Sequence, residues 1–175
     1  ARVVALVPRP AAPAAPVRPD AEALFRAEEA FRIASQLDDS DDGDRAEAAA
    51  AYQRALEFDP HLVPALINLA NIHYAHDELV DAQALYERAI ADGPEFFEAH
   101  FNLGNVHHDM GQFDEARRCY EQALSLNPYY ADAHFYLAVT LEKMGLSADA
   151  RPHWLSYQQL APTGEWIQLA REFAE

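Results

Sequence analysis

The chain has 175 residues, half of them apolar, and its 29 acidic residues against 13 lysines and arginines give a formal net charge of −16. Such a negative surface repels phosphate backbones, so we expect no direct nucleic acid binding by this segment. No apolar run approaches the roughly 20 residues that span a bilayer, and the single Cys119 excludes an internal disulfide, so we expect a cytoplasmic protein that does not associate with a membrane.

Residues 1–20 are predicted to form a linker. Five prolines alternate there with alanines: Pro8, Pro10, Pro13, Pro16 and Pro19. This composition is typical of an extended, semi-rigid polyproline-type segment. The folded part of the chain is therefore predicted to be residues 21–175.

A period of 34 residues runs through this folded part, and it is marked by equally spaced prolines: Pro60, Pro94, Pro128 and Pro162. Four further columns coincide when the chain is aligned on them: Leu69, Leu103 and Leu137; Ala70, Gly104 and Ala138; Ala82, Ala116 and Ala150; and Tyr52, Tyr86, Tyr120 and Trp154. A fixed period of about 20 to 50 residues is typical of stacked repeats.

The columns indicate pairs of helices joined by tight turns. Small residues, such as Gly104 and Ala116, let two helices approach closely. Gly111 and Gly145 follow first helices, where a positive φ is favoured. First helices are predicted at about 21–37, 63–76, 97–110 and 131–144, and second helices at about 45–58, 79–91, 113–126 and 147–160.

These columns resemble the tetratricopeptide-repeat (TPR) family, which has Leu-Gly in the first helix, Ala-x3-aromatic in the second and proline at the end. The resemblance implies an all-α fold, a TPR solenoid of four antiparallel helix pairs plus a C-terminal capping helix. Its repeats would be residues 21–60, 61–94, 95–128 and 129–162. In the cap, residues 163–175, Trp166 is expected to close the core.

An acidic run at residues 38–44 makes the first repeat about eight residues longer than the others. With Asp38 as the first ligand, Ser40, Asp42 and Gly43 stand at acceptable positions for a calcium-binding loop. Counting from Asp38, the twelfth position is Ala49, where a bidentate glutamate is required. We therefore predict a solvated insertion.

Histidines and carboxylates of the second and third repeats are candidate metal ligands: His73, His76, Asp77, His107, His108 and Asp109. The 34-residue period explains four histidines as packing residues instead, because His73 and His107 occupy a column that is usually Tyr, and His100 and His134 one that is usually Trp. We predict no metal site and no cofactor. The chain also has no phosphate loop or nucleophile motif, so we predict that it is not an enzyme.

TPR proteins bind peptides or helices in a concave groove lined by the first helices. Helical spacing places one set of residues opposite the core-facing Leu66 and Leu69. The set comprises Ile67, Asn68, Asn71 and Tyr74 in the second repeat, Glu98, Phe101, Asn102, Asn105, His108 and Asp109 in the third, and Asp132, Phe135 and Tyr136 in the fourth. We predict that these residues contact a protein or peptide.

Asparagines are prominent in this set. The Asn-Leu-Ala-Asn run at 68–71 and the Asn-Leu-Gly-Asn run at 102–105 resemble the asparagine ladder in the TPR arm of O-linked N-acetylglucosamine transferase. An amide offers both a donor and an acceptor to a peptide backbone. We expect the groove amides to bind a partner and to contribute little to the core.

The remaining groove residues indicate the chemistry of the partner. Where some chaperone-binding TPR domains clamp a dicarboxylate with cations, this chain has Glu98, Asp132 and Tyr136. Phe101 and Phe135 are expected to act as apolar anchors, and the acidic residues around them favour a partner that also carries basic residues. Covering of these aromatics by an adjoining helix, or self-association through them, is the alternative.

Two functions follow from the resemblance. The first is a bacterial adaptor or scaffold that binds other proteins. The second is the C-terminal sensing or oligomerisation arm of a bacterial helix-turn-helix transcription regulator. The proline-rich linker and the ending with Trp154, Tyr157, Pro162 and Trp166 resemble TPR arms of MerR-type regulators.

Overall fold

A computed structural model describes residues 18–39 and 45–174. Most of the predicted linker and residues 40–44 of the acidic insertion lie outside the described residues. The described part is built from helices: α1 (Ala21–Asp38), α2 (Arg45–Phe58), α3 (Val63–Ala75), α4 (Leu79–Asp92), α5 (Phe97–Asp109), α6 (Phe113–Leu126), α7 (Ala131–Lys143), α8 (Ser147–Leu160) and α9 (Ile167–Ala174).

The helices form the predicted solenoid. Within the described ranges α1 to α8 pair as α1/α2, α3/α4, α5/α6 and α7/α8, each second helix packs on the next first helix, and α9 packs on α8. The bounds of α1 to α8 agree with the predicted bounds to within one residue. The all-α prediction is confirmed. No described helix is both long and apolar enough to cross a membrane.

Small and aromatic residues alternate in the core as the repeat columns predict. Ala82, Ala116 and Ala150 are completely buried, and so is the ring of Tyr120. A Cβ atom added to Gly104 would lie 2.6 Å from Cε1 of Tyr120. Glycine at this position therefore makes room for the tyrosine ring of the same helix pair.

Histidine side chains form hydrogen bonds between successive repeats. His100 Nε2 lies 2.8 Å from the carbonyl oxygen of Pro94, and His134 Nε2 lies 2.9 Å from that of Pro128. Because a carbonyl only accepts, Nε2 is the protonated nitrogen of each ring. Both rings are buried, as is that of His107, which confirms that these histidines pack between helices.

The turns after α3, α5 and α7 share one backbone shape. Gly111 and Gly145 have φ values of 74° and 75°, as the sequence predicts, while Asp77 takes the same role with a φ of 62°. Bonds such as Gln112 N to His107 O, at 2.8 Å, close each helix end. Aspartate tolerates this left-handed conformation better than most residues, because its short polar side chain can hydrogen-bond locally.

Candidate binding groove

The first helices α3, α5 and α7 lie side by side and present one continuous face, which we call the groove. Side chains bridge neighbouring first helices across it. The amide Nδ2 of Asn102 donates to Oδ1 of Asn71 over 3.0 Å, and the hydroxyl of Tyr74 donates to Oδ2 of Asp109 over 2.5 Å. Burial and the Asp109 carboxylate raise the pKa of Tyr74, so its hydroxyl remains a donor.

The part of the groove on α3 and α5 is an amide half, formed by Asn68, Asn71, Asn102 and Asn105. Its asparagines also bond buried tyrosines: Asn68 donates to the Tyr52 hydroxyl over 3.0 Å, Tyr86 donates to Asn71 over 2.5 Å, and Tyr120 donates to Asn105 over 2.8 Å. The four asparagines therefore differ in role. Asn71 and Asn105 accept buried hydroxyls, whereas Asn68 and Asn102 each donate an amide N–H.

This division corrects one expectation drawn from the sequence. Asn71 and Asn105 do contribute to the core, because the Tyr86 and Tyr120 side chains are buried and need an acceptor for their hydroxyl protons. Asn68 is different. The Tyr52 hydroxyl that it contacts also donates to Asp38 over 3.4 Å, so it does not depend on the amide for an acceptor.

Beyond α5 the groove continues into an aromatic half, formed by Tyr136 on α7, Trp166 immediately before α9 and Phe173 on α9, and here the structure differs from the sequence expectation. Phe101 and Phe135, predicted as anchors, are each only 7% exposed, and Ile67 is only 8% exposed. Tyr136 packs edge-on against Phe101 with centroids 5.8 Å apart, and Trp166 stacks on Phe135 at 5.6 Å. The rings of the following repeat cover the predicted anchors.

The exposed aromatics of this half are therefore other residues. Tyr136 is 38% exposed, Trp166 46% and Phe173 47%. Trp166 was expected to close the core, but half of it faces solvent. It lies 34 residues after Asp132, and Phe173 lies two periods, 68 residues, after Asn105. Extending the groove columns by one more period would have found both residues.

Carboxylates surround the exposed rings. Burial raises the pKa of Tyr136 most, and Asp132, Asp109 and Glu165 raise it further. Burial likewise raises the pKa of Tyr130, with Asp132 and Glu98 adding to the shift. Negative charge from α5, α7 and the segment before α9 thus converges on the aromatic half.

His108 was predicted to face a partner but is turned towards its own neighbours. Its Nδ1 lies 2.9 Å from Oγ1 of Thr140, whose hydroxyl donates to the carbonyl of Tyr136. The imidazole is therefore the donor to Thr140. It also packs edge-on against Phe113 at 5.4 Å, and burial lowers its pKa.

Three potential metal ligands converge away from the groove. The donor atoms of His73, Glu78 and Asp81 lie within 4.8 Å of one another. His73 is hydrogen-bonded to Glu78. Glu78 is the N-cap residue of α4 and Asp81 lies in its first turn, where carboxylates are favoured by the helix dipole. We interpret the cluster as part of this helix start.

A cavity of about 1060 Å³ lies between α1 and α2, outside the set of predicted site residues. Ile33, Leu37 and Phe58 supply its apolar lining, and Arg26 and Arg54 are among its charged residues. The guanidinium of Arg26 lies 5.8 Å from the centroid of the Phe58 ring. The cavity opens at the N-terminal end of the described solenoid, away from the groove residues on α3, α5 and α7.

Comparison with known proteins identifies the repeats. A family model described as "Tetratricopeptide repeat" matches residues 40–103 and 74–122, and one described as "TPR repeat" matches residues 104–145. Together they span more than half of the chain. No curated protein sequence matches it.

Solved structures share the fold at low sequence identity. MamA is 23% identical, with 78% of each chain covered and a TM-score of 0.71. YrrB, described as "a TPR protein with an unusual peptide-binding site", is 21% identical over 88% of this chain and 73% of its own, with a TM-score of 0.67. The first TPR of Spaghetti (RPAP3), bound to the HSP90 peptide SRMEEVD, is 19% identical over 70% of this chain and 95% of its own, with a TM-score of 0.66.

Proposed function

Because the chain belongs to the tetratricopeptide-repeat family, we propose that it is a protein-interaction module whose groove holds a segment of another protein. The TPR fold is a non-catalytic repeat scaffold, so the proposal assigns binding and no reaction. The observation that carries it is the amide half of the groove. There a row of side-chain amides keeps hydrogen-bonding groups available beside exposed aromatic rings.

The amides supply affinity without side-chain selectivity. An asparagine has two N–H donors and an acceptor oxygen, and the internal bonds of Asn68 and Asn102 leave part of this capacity unused. Asn71 still has its own NH2 group, since its oxygen accepts both bonds described above. Such a row can hydrogen-bond an extended partner backbone whatever its sequence.

The charge of the groove favours a basic and apolar partner. Glu98, Asp109 and Asp132 are exposed along it. The peptide bound by the first TPR of Spaghetti (RPAP3) contains adjacent glutamates and an aspartate. A groove with this charge repels such a ligand, so the proposed partner carries lysine or arginine instead.

The test uses a random dodecapeptide display library selected on the full chain. Calorimetry then compares a selected peptide on the unmodified chain, on Asn68→Ala/Asn102→Ala and on the matched control Gln83→Ala, in which the removed amide lies on α4 outside the groove. We expect the double variant to weaken binding by about tenfold, as for the loss of one or two hydrogen bonds, with little change in melting temperature.

Two results would contradict the proposal. One is a library that yields no specific peptide. The other is a selected peptide that binds the Asn68→Ala/Asn102→Ala variant as tightly as the unmodified chain, which would place its binding outside the groove.

A further inference from the structure

Two exposed rings and three carboxylates form one patch at the C-terminal end of the groove. Tyr136 and Trp166 both contact the buried Phe135, with centroid distances of 5.3 and 5.6 Å. Tyr136 meets Phe135 edge-on, whereas Trp166 stacks on it at an interplanar angle of 25°. The patch therefore has a supported aromatic floor with two rings open to solvent.

Contacts with the buried Tyr157 side chain fix the position of Trp166. Its backbone N–H donates to the hydroxyl of the buried Tyr157 over 3.4 Å. A Cβ added to Gly164 would lie 2.6 Å from that same hydroxyl, so only glycine permits the chain to pass so close to it. Packing thus holds the tryptophan ring at the surface before any ligand arrives.

The charges of the patch are all of one sign. Burial raises the pKa of Tyr136 most, and the negative charges of Asp132, Asp109 and Glu165 raise it further, so all three carboxylates lie near its hydroxyl. Asp132 and Glu165 form no ion pair with any residue that the structure describes. Lys143, at the end of α7, has its ammonium nitrogen 5.8 Å from the centroid of the Phe113 ring. The patch thus has complementary charge for a cation and carries none of its own.

We infer that this patch is a subsite for an arginine side chain of the bound protein segment, with the guanidinium stacked on Trp166 or Tyr136 and paired with Asp132 and Glu165. The inference rests on the proposed function and adds a sequence requirement to it. A guanidinium is planar, weakly hydrated and always charged, so it stacks on aromatic faces while its N–H groups reach carboxylates. A lysine ammonium lacks the flat face, and an acidic segment is repelled.

The amide half does not impose this requirement. Asn68, Asn71, Asn102 and Asn105 bond a backbone, which every peptide has. Selectivity for the sequence of the partner should therefore reside in the aromatic half, where the patch favours one type of side chain. A ligand would be held along its length by the amides and selected by its arginine.

The same display selection tests the inference through the sequences it enriches. We expect arginine at one fixed position in the peptides selected on the unmodified chain. Selection on Asp132→Asn/Glu165→Gln should still enrich peptides through the amide half but lose the fixed arginine. The matched control, Glu87→Gln/Asp114→Asn, also removes two negative charges, but from second helices. Selection on this variant should keep the fixed arginine.

Calorimetry then measures one selected peptide in two forms, with arginine and with the neutral isostere citrulline. Citrulline should weaken binding by about tenfold on the unmodified chain and by much less on Asp132→Asn/Glu165→Gln. Because neither carboxylate makes an internal ion pair in the described residues, melting temperatures should be nearly equal.

The outcomes separate the two proposals. Peptides enriched without a fixed arginine, or an arginine preference that survives in Asp132→Asn/Glu165→Gln, would overturn the subsite and leave the groove proposal standing. A fixed lysine in place of arginine would also overturn it, because stacking would then not be the basis of recognition. Failure to enrich any peptide would overturn both.

Discussion

The amide half and the aromatic half of the groove are built on the same backbone. The column that reads Asn68 and Asn102 in the former becomes Tyr136 in the latter, and the column of Asn71 and Asn105 becomes Val139. Two substitutions in a repeat thus convert a hydrogen-bonding surface into an aromatic one. In a repeat protein, groove chemistry can change from one repeat to the next while the packing frame stays fixed.

The second helices explain why the groove asparagines are absent from the fourth repeat. Tyr86 and Tyr120 need an acceptor, and Asn71 and Asn105 provide it. In the fourth repeat the same column holds Trp154, whose indole Nε1–H donates instead to Oε1 of Glu142 over 3.2 Å. The groove residue and the buried aromatic behind it therefore change together, and the asparagine is no longer needed for the core.

Replacing Trp154 by alanine should have the largest effect on this comparison. Its buried ring contacts Phe135 at 5.6 Å and stacks on Phe173 at 5.5 Å, so it supports the aromatic half from beneath. We expect a loss of about 3 to 5 kcal/mol in the free energy of unfolding, measured by chemical denaturation. The matched control is Leu155→Ala, whose side chain is exposed. Equal effects of the two changes would contradict the packing described.

Asn105→Ala should have an intermediate effect on the amide half. It leaves the buried hydroxyl of Tyr120 without its acceptor, which should lower the free energy of unfolding by about 1 to 3 kcal/mol. Asn68→Ala is the control, because Tyr52 keeps Asp38 as a partner, and should change stability by less than about 1 kcal/mol. The double variant Asn105→Ala/Tyr120→Phe removes both partners and should recover part of the loss. No recovery would mean that the hydroxyl is not the cause.

The smallest expected effect is a change of stability with pH, and it arises in the helix pair α7 and α8, which carries part of the aromatic half. Behind the aromatic half, His134 Nδ1 lies 3.0 Å from Nδ1 of His153. Since His134 already donates through Nε2, its Nδ1 accepts and His153 donates. Burial lowers the pKa of His153, and the neighbouring His134 lowers it further.

A lowered folded-state pKa means that the unfolded chain binds the proton more tightly. The contribution of His153 to the free energy of unfolding should therefore be fully present above about pH 6.5, the ordinary pKa of histidine. It should decrease as the pH falls below that value. Glu121 and Asp149 oppose the shift, while Arg117 adds to it. His153→Gln keeps a donor for His134 and should flatten the melting temperature between pH 7 and pH 5 relative to the unmodified chain. An unchanged slope would exclude His153 as the source.

The sequence predicted the frame of the molecule more fully than its surface. The helix bounds and the positive φ of Gly111 and Gly145 follow from a period that one column after another repeats. Asp77 was missed because the left-handed position is marked by glycine elsewhere in the chain. Within the predicted groove set, Asn71 contacts Asn102 and Tyr74 contacts Asp109 across neighbouring first helices, while the binding role of these residues stays a prediction.

Exposure within the groove could not be predicted in the same way. Whether Phe101 or Phe135 is open depends on the size of the side chain one repeat later, and helical periodicity within one repeat does not include that neighbour. Tyr136 and Trp166 are large enough to cover them. His108 was misjudged for a related reason, because the hydroxyl that captures it belongs to Thr140, thirty-two positions away.

The bonds between first helices have a mechanical consequence. In the amide half, Asn71–Asn102 and Tyr74–Asp109 fix distances between successive repeats, and a hydrogen bond weakens steeply when it is lengthened or bent. Between α5 and α7 the described residues form one such bond, from His108 to Thr140, beside ring contacts such as Phe101–Tyr136, a type of contact that aromatic pairs make over a range of centroid distances. A force that widens the groove should therefore strain the solenoid unevenly. We expect the step from α3 to α5, with two such bonds, to resist widening more than the step from α5 to α7, where the described residues form the single bond between His108 and Thr140, so the curvature should adjust more readily at the second step to the thickness of a bound segment.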